Sequence, residues 1–318
     1  MVKLDIDLSA ILSAHERIQP YIHRTPVLTS SRLNKASGAS IFFKCENFQK
    51  IGAFKARGAT NAVFSLDDAT AQRGVATHSS GNHGAAVARA AMLRGIPAHI
   101  VMPSNSAKVK IRAVEGYGAR LVFCEPTEEA REFTCADVIA RTGATLIHSF
   151  ENPNVIAGQG TTAVELLEDV SDLDVVMCPI GGGGLLAGAA VAAKSMRPNI
   201  KVVAAEPENA DDAARSFRAG RVIHTKKQFT IADGLRTNVG EPNFAIIKHY
   251  VDDIVTVSED AIISAMRTIW ETMKIMIEPS AAVPYAAIQE DKIDVAGKHV
   301  GIILTGGNVD LDALPWNL

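Results

Sequence analysis

One lysine sets the chemistry available to this chain. Lys55 lies in Asn47-Phe48-Gln49-Lys50-Ile51-Gly52-Ala53-Phe54-Lys55-Ala56-Arg57-Gly58-Ala59, directly after an aromatic residue and between two glycines that allow close backbone approach. An amine that has lost its proton attacks an aldehyde to form an imine, and burial or a nearby cation lowers its pKa enough for that. Arg57 is near in sequence, with its direction left open. A second segment, Gly181-Gly182-Gly183-Gly184-Leu185-Leu186, follows an apolar run and opens a helix-like one. Successive glycines there can turn main-chain N–H groups toward an anion, which the helix dipole also favours. By itself the run also fits tight packing. It lacks the spacing of a dinucleotide fingerprint and the Gly-Lys-Ser/Thr ending of a nucleotide loop. An aldehyde and a phosphate occur together in pyridoxal 5′-phosphate, so the two segments predict an enzyme using that cofactor on a small amino acid.

Two further segments could touch such a substrate. Ser79-Ser80-Gly81-Asn82-His83-Gly84 offers hydroxyls and N–H groups to a carboxylate, or simply an N-cap. Thr305-Gly306-Gly307-Asn308 could equally be a plain turn. All four segments follow predicted strands, at the end where open α/β sheets bind ligands. The predicted strands are 41–45, 74–78, 98–102, 120–123, 145–147, 175–179, 201–205, 254–257 and 299–304. Helical stretches at 82–94, 108–117, 128–141, 158–167, 185–195, 259–274 and 280–289 alternate with them. That alternation predicts parallel sheets wrapped by helices, and fully apolar strands such as Val175-Val176-Met177 fit burial on both faces. Residues 74–150 are expected to form a smaller, mobile α/β unit. It would be inserted into a larger cofactor-binding domain made of residues 1–73 and 151–318.

Composition narrows the class. The 318 residues are 47% hydrophobic and 21% charged, as in a globular protein with a sizeable core. A net charge of −3 gives no electrostatic reason to expect nucleic acid or an anionic membrane as partner. Lys108-Val109-Lys110 reads as a solvated helix face. Cys45, Cys124, Cys135 and Cys178 show no metal or redox spacing. Met1–Asp7 lacks the apolar core of a signal peptide, and no apolar run reaches the roughly 20 residues of a spanning helix, so a cytoplasmic protein is expected.

These segments resemble the fold-type II pyridoxal-phosphate enzymes, most closely serine racemase and its serine/threonine dehydratase relatives. The resemblance runs through His23–Ser30, Phe43–Glu46, the Lys55 segment, Ser79–His83, Ala157–Thr161, Gly181–Leu186, Ala205–Pro207, Ile231–Gly234, Glu278–Ser280 and Thr305–Asp310. It implies a tryptophan synthase β-like fold of two open, twisted α/β domains with the active site between them. It implies that Lys55 carries the cofactor, with Phe54 beside the ring, Asn82 on the phenolic oxygen, Gly181–Gly184 and Leu185 around the phosphate, and Thr305 facing the ring nitrogen. A hydroxyl there leaves the ring less protonated than a carboxylate would. Ser80 matches the acid/base on the face opposite Lys55. Ser79, Ser80, Asn82, His83, Arg131 and Thr237 match substrate-binding positions, Arg131 one that meets the distal end of dicarboxylates.

Glu206, Ala210 and Asp212 match a divalent-cation loop suited to Mg²⁺ or Ca²⁺ (or Mn²⁺), where the plainer reading is an acidic N-cap. Ser30, Ser31, Lys50, Tyr117, Lys274 and Asn308 match an ATP site of animal racemases, but Leu12 and Ile51 replace polar residues there. Ser149-Phe150 stands where relatives carry Pro-Asn or Pro-Tyr pairs. The expected activity is interconversion of L- and D-serine with elimination to pyruvate and ammonia. The alternative is a dehydratase of L-serine, L-threonine or threo-3-hydroxyaspartate that racemises little. A non-catalytic cofactor-binding regulator fits poorly with an intact lysine, serine pair and phosphate turn. A homodimer is expected by resemblance.

Overall fold

The computed structural model describes residues 6–79, 81–106, 108–225 and 229–316. Among the described residues ten strands form two sheets: β1 (Val27–Leu28), β2 (Ser40–Cys45), β3 (Val75–His78), β4 (Ala98–Pro103), β5 (Arg120–Cys124), β6 (Thr145–Leu146), β7 (Val175–Pro179), β8 (Lys201–Pro207), β9 (Asp253–Val257) and β10 (His299–Leu304). The larger sheet has the order β1-β2-β10-β7-β8-β9 and the smaller β5-β4-β3-β6. Every pairing is parallel except the antiparallel β1–β2 pair, which departs from the all-parallel expectation. β1 is only two residues long and is held by Val27↔Lys44 and Leu28↔Phe43, partners too distant for a sequence pattern to show.

The helices are α1 (Leu8–Ile18), α2 (Ser31–Ser37), α3 (Lys55–Phe64), α4 (Asp68–Gln72), α5 (Asn82–Arg94), α6 (Lys108–Glu115), α7 (Glu128–Thr142), α8 (Pro153–Asp169), α9 (Gly184–Met196), α10 (Asp212–Ala219), α11 (Glu241–Tyr250), α12 (Glu259–Met273) and α13 (Pro279–Gln289). α1, α8, α9 and α11 bury apolar side chains on one face of the larger sheet, while α2, α12 and α13 cover the other. Both faces of β7 and β10 are therefore dry, which explains their uninterrupted apolar sequences. The smaller sheet packs α3 and α5 on one side and α7 on the other.

Standard devices end these helices. Thr127 and Ser258 accept N-terminal N–H groups, and Gly95, Gly143 and Gly220 take left-handed C-cap conformations. At the carboxyl ends of β3, β7 and β10 the chain leaves the sheets at Ser79, Gly181 and Thr305, the expected segments. Among the described residues no helix is long and apolar enough to cross a membrane.

Candidate active site

Lys55 is the first residue of α3, where the dipole disfavours a cation. The turn that delivers it is unusual. Ile51 and Gly52 both have left-handed φ (61° and 71°), a conformation that a β-branched residue resists. Asn308 Nδ2 donates to the Ile51 carbonyl at 2.8 Å, and Gly307 N–H to the Gly52 carbonyl at 2.9 Å. Phe54 N–H donates to Thr305 O at 3.0 Å, so the Lys55 turn is tied to the end of β10.

The Lys55 ammonium lies 5.2 Å from the Phe54 ring centroid, and Nζ donates to Ser149 O at 2.9 Å. Burial pushes this amine down to about 8, with the Glu278 carboxylate partly opposing. Near pH 8 a substantial fraction is therefore neutral and nucleophilic, as an imine-forming lysine requires.

The glycine turn packs against Phe150. Gly183 (φ 87°) caps α9 in a conformation suited to glycine. A Cβ on Gly182 would fall 2.3 Å from Phe150 Cδ1, and one on Gly184 2.8 Å from Phe150 O. Gly240 N–H and Asn243 Nδ2 hold the Gly182 carbonyl at 3.2 and 2.6 Å. That bonding occupies the carbonyl side of the turn, and the first N–H groups of α9 have no partner within the helix. Thr237 sits here too, its Oγ1 3.2 Å from where a Gly181 Cβ would be.

Thr305 is buried, and its Oγ1 has no hydrogen-bond partner among the described residues. A buried hydroxyl without a partner costs about 1–3 kcal/mol, so this atom is suited to a ligand. Unpartnered hydroxyl, low-pKa amine and a turn with no room for side chains together fit the ring nitrogen, aldehyde and phosphate of pyridoxal 5′-phosphate.

The Ser79–His83 segment divides. Ser80 lies outside the described residues. Ser79 Oγ accepts from Gly81 N–H at 3.3 Å, and Gly81 is the N-cap of α5. His83 Nε2 faces Ile147 O at 2.9 Å, while burial and then the Lys55 charge push its imidazole down to about 3. The neutral ring has one N–H, which Nε2 donates to the Ile147 carbonyl, so His83 can offer a carboxylate only its main-chain N–H. Asn82 is also more engaged than expected: Nδ2 donates to both oxygens of Glu278 (3.1 and 3.0 Å) and Oδ1 accepts from Asn308 Nδ2 at 2.8 Å. Arg131, on α7, acts electrostatically on His78, whose ring is 5.8 Å from that of His148.

Two residues of this site were given no role from sequence, although Glu278 lies in a segment that carries the resemblance. Glu278 is buried, and burial, then Asp233, push its carboxyl up to about 7. A Cβ on Gly306 would lie 2.7 Å from Glu278 Oε1, so a glycine is needed beside it. His148 stacks edge-on with Phe150 at 4.7 Å, and burial, then His78 and Lys55, push it down to about 4. A histidine after a short strand carries no signal of its own, and the Glu278-Pro279-Ser280 match marks a segment without saying what its carboxylate does.

Glu206 and Asp212 are buried side by side. Burial, then Asp212, push the Glu206 carboxyl well above the usual range. Its two oxygens accept from Ala213 and Ala214 N–H at 3.1 and 2.8 Å, so Glu206 also caps α10 from a distance. Asp212 Oδ2 accepts from Val239 N–H at 2.8 Å. Among the described residues no group of three or more His, Cys, Asp or Glu side chains could hold a metal. A site of two carboxylates and the Ala210 carbonyl would be smaller than such a group.

Of the six nucleotide candidates, Tyr117 and Asn308 line a cleft of about 690 Å³, together with Ile51, Asn82, Lys110 and Asp233. Ser30 caps α2, Ser31 opens it, Lys50 precedes the strained turn, and Lys274 ends α12 with φ 59°. Lys110 Nζ reaches Asp233 Oδ2 at 2.6 Å, joining α6 to the larger sheet's loops.

The chain is similar to known proteins over nearly its whole length. The beta-hydroxyaspartate dehydratase of Paracoccus denitrificans is 52% identical over 307 residues, covering 96% of this chain and 98% of that one. A serine racemase of Arabidopsis thaliana is 49% identical over 320 residues, covering 99% and 96%. The crystal structure of serine racemase from Dictyostelium discoideum superposes with a TM-score of 0.91 at 51% identity, covering 96% and 100%. Residues 18–306 match the pyridoxal-phosphate dependent enzymes, and the chain belongs to that family.

Proposed function

We propose that the chain is a serine racemase that also eliminates serine to pyruvate and ammonia. The setting of Lys55 carries this reading: an amine pushed down to about 8, between the Ser149 carbonyl, the Phe54 ring and the Thr305 strand end. Lys55 would hold the cofactor's aldehyde carbon, Gly181–Gly184 with Leu185 its phosphate, Thr305 its ring nitrogen, and Phe54 and Asn82 the ring and its oxygen. When bound, that cofactor supplies an electron-withdrawing ring that stabilises negative charge at the substrate α-carbon. Once the substrate amine has displaced it from the aldehyde carbon, the freed Lys55 Nζ would take the α-proton from one face. Ser80 delivers a proton to the other, inverting the centre. Ser79 Oγ and the first N–H groups of α5 hold the carboxylate, and Thr237 closes the pocket at the glycine turn. Departure of the β-hydroxyl as water, then hydrolytic release of ammonia, gives pyruvate.

The second reading, dehydration of threo-3-hydroxyaspartate, L-serine or L-threonine, is favoured by Arg131. This cation acts on His78 and could meet a second carboxylate. It is favoured also by the 52% identity to a beta-hydroxyaspartate dehydratase. Incubation with L-serine, chiral separation of the amino acid and a parallel pyruvate assay decide between them. Pyruvate without D-serine removes the racemase half; faster turnover of 3-hydroxyaspartate than of serine establishes the second reading.

Further parts of the proposal rest on the same chain. Residues 74–150, which contain β3–β6, act as a small mobile domain against 1–73 with 151–318. Glu206, Asp212 and the Ala210 carbonyl bind Mg²⁺ or a similar hard cation, which offsets two adjacent buried carboxylates. The cleft holding Tyr117 and Asn308 admits ATP as an activator, and two copies form a dimer. Four free thiols suit a reducing cytoplasm.

A further inference from the structure

Four charged side chains are buried behind Lys55: Lys44 on β2, Glu46 just beyond it, Arg57 on α3 and Glu165 on α8. Every N–H of the Arg57 guanidinium is used. Nε and Nη2 donate to Glu46 Oε2 and Oε1, each at 2.8 Å. Nη1 and Nη2 donate to Glu165 Oε1 and Oε2 at 2.8 and 2.7 Å, and Nη1 also reaches Thr161 Oγ1 at 3.2 Å. Lys44 Nζ pairs with Glu165 Oε2 at 2.7 Å and with Thr25 O at 2.7 Å, while Thr25 Oγ1 donates to Glu46 at 2.5 Å.

Such a cluster is a poor way to gain stability. Desolvating buried ions offsets much of their attraction, and apolar side chains of the same volume do as well. What a saturated guanidinium fork does give is direction, because its donors are coplanar and fixed. Arg57 is two residues past Lys55, about 200° around the helix, so it anchors the face of α3 turned away from the lysine. The two helices meet closely enough for this. A Cβ on Gly158 would lie 2.6 Å from Gly58 Cα, and Gly58 N–H donates to Gln159 Oε1 at 3.1 Å.

We infer that Arg57 is a positioning residue: its double fork to Glu46 and Glu165 fixes the rotation of α3 about its own axis and thereby the aim of Lys55 Nζ. This inference rests on Lys55 as the cofactor-bearing residue. If that reading fails, borohydride trapping of the wild-type protein yields no adduct at Lys55. If the present inference alone fails, the adduct forms and the outcomes below separate the cases.

The test is Arg57→Lys, which keeps the charge and loses the fork, with Glu46→Gln as an isosteric second variant that sets an amide donor against a guanidinium donor. Visible circular dichroism of the cofactor-loaded protein reports the tilt of the lysine linkage. Expected are an altered visible band and a kcat lower by about tenfold or more, with KM little changed. A folded variant with a lower melting temperature but a wild-type visible band and kcat overturns the inference. So does failure of both variants to fold, which would make the cluster purely structural.

Discussion

The side-chain amide of Asn82 lies 3.0 and 3.1 Å from the two carboxylate oxygens of Glu278, joining the start of α5 to the residue that caps α13. These residues are 196 positions apart. Glu278 is also a second titrating group near Lys55, and its carboxylate raises the lysine pKa.

Glu278→Gln is expected to make Lys55 easier to deprotonate. The carboxylate raises the lysine pKa against the burial that lowers it to about 8, so removing its charge moves the midpoint to lower pH. The rate at which cofactor-free protein forms a borohydride-trappable adduct, measured against pH, checks this. An unchanged or higher midpoint shows that Glu278 does not act on the lysine.

Thr305→Val should separate folding from cofactor binding. The hydroxyl has no partner among the described residues, so the variant removes a desolvation cost of about 1 kcal/mol. Without cofactor, Tm should rise by about 2 °C. With cofactor the gain should vanish, because a bond to the ring is lost. A lower Tm in the cofactor-free variant would mean the hydroxyl already has a protein partner.

Acid should weaken the fold through Glu165. Burial raises its pKa, but Arg57 and Lys44 win and hold it at about 2, against an ordinary 4.5. A depressed carboxyl stabilises the folded state fully above the unfolded value and loses that contribution as pH falls from about 4.5 toward 2. Denaturant midpoints across that range should fall in the wild type and fall less steeply in Glu165→Gln. Equal slopes would remove Glu165 as a cause.

Mg²⁺ should raise Tm by occupying the Glu206–Asp212 site, and Asp212→Ala should abolish the rise. The raised Glu206 pKa implies that the response weakens in acid, as protons compete with the cation. An equal rise in the variant places the cation elsewhere.

Gly182→Ala should cost about 1–3 kcal/mol, because its methyl would meet the Phe150 ring. Cofactor affinity should fall with it. Adding Phe150→Ala should restore stability, as a double-mutant cycle would show. Additive effects would mean the ring is not the obstacle.

What could be read from sequence was local. Val175–Pro179 and His299–Leu304 have the predicted bounds because strands buried on both faces are apolar throughout. Lys55 and the glycine run declared themselves by residue type. Long-range relations did not. Arg57 has no visible direction until Glu165, 108 residues away, closes its fork. Ile51 takes a conformation its side chain resists because Asn308, 257 residues on, holds its carbonyl. His83 matches a carboxylate-holding position, and only the fold shows its ring buried against the Ile147 carbonyl.

The turn from Gly181 to Gly184 contains nothing that ionises. An anion seated there is gripped as firmly in mild acid as in mild base, as long as its own charge persists. Any proton dependence of a bound cofactor's reactivity would then arise at its other end, around Lys55 and Glu278. Anchoring and reactivity can thus be tuned independently.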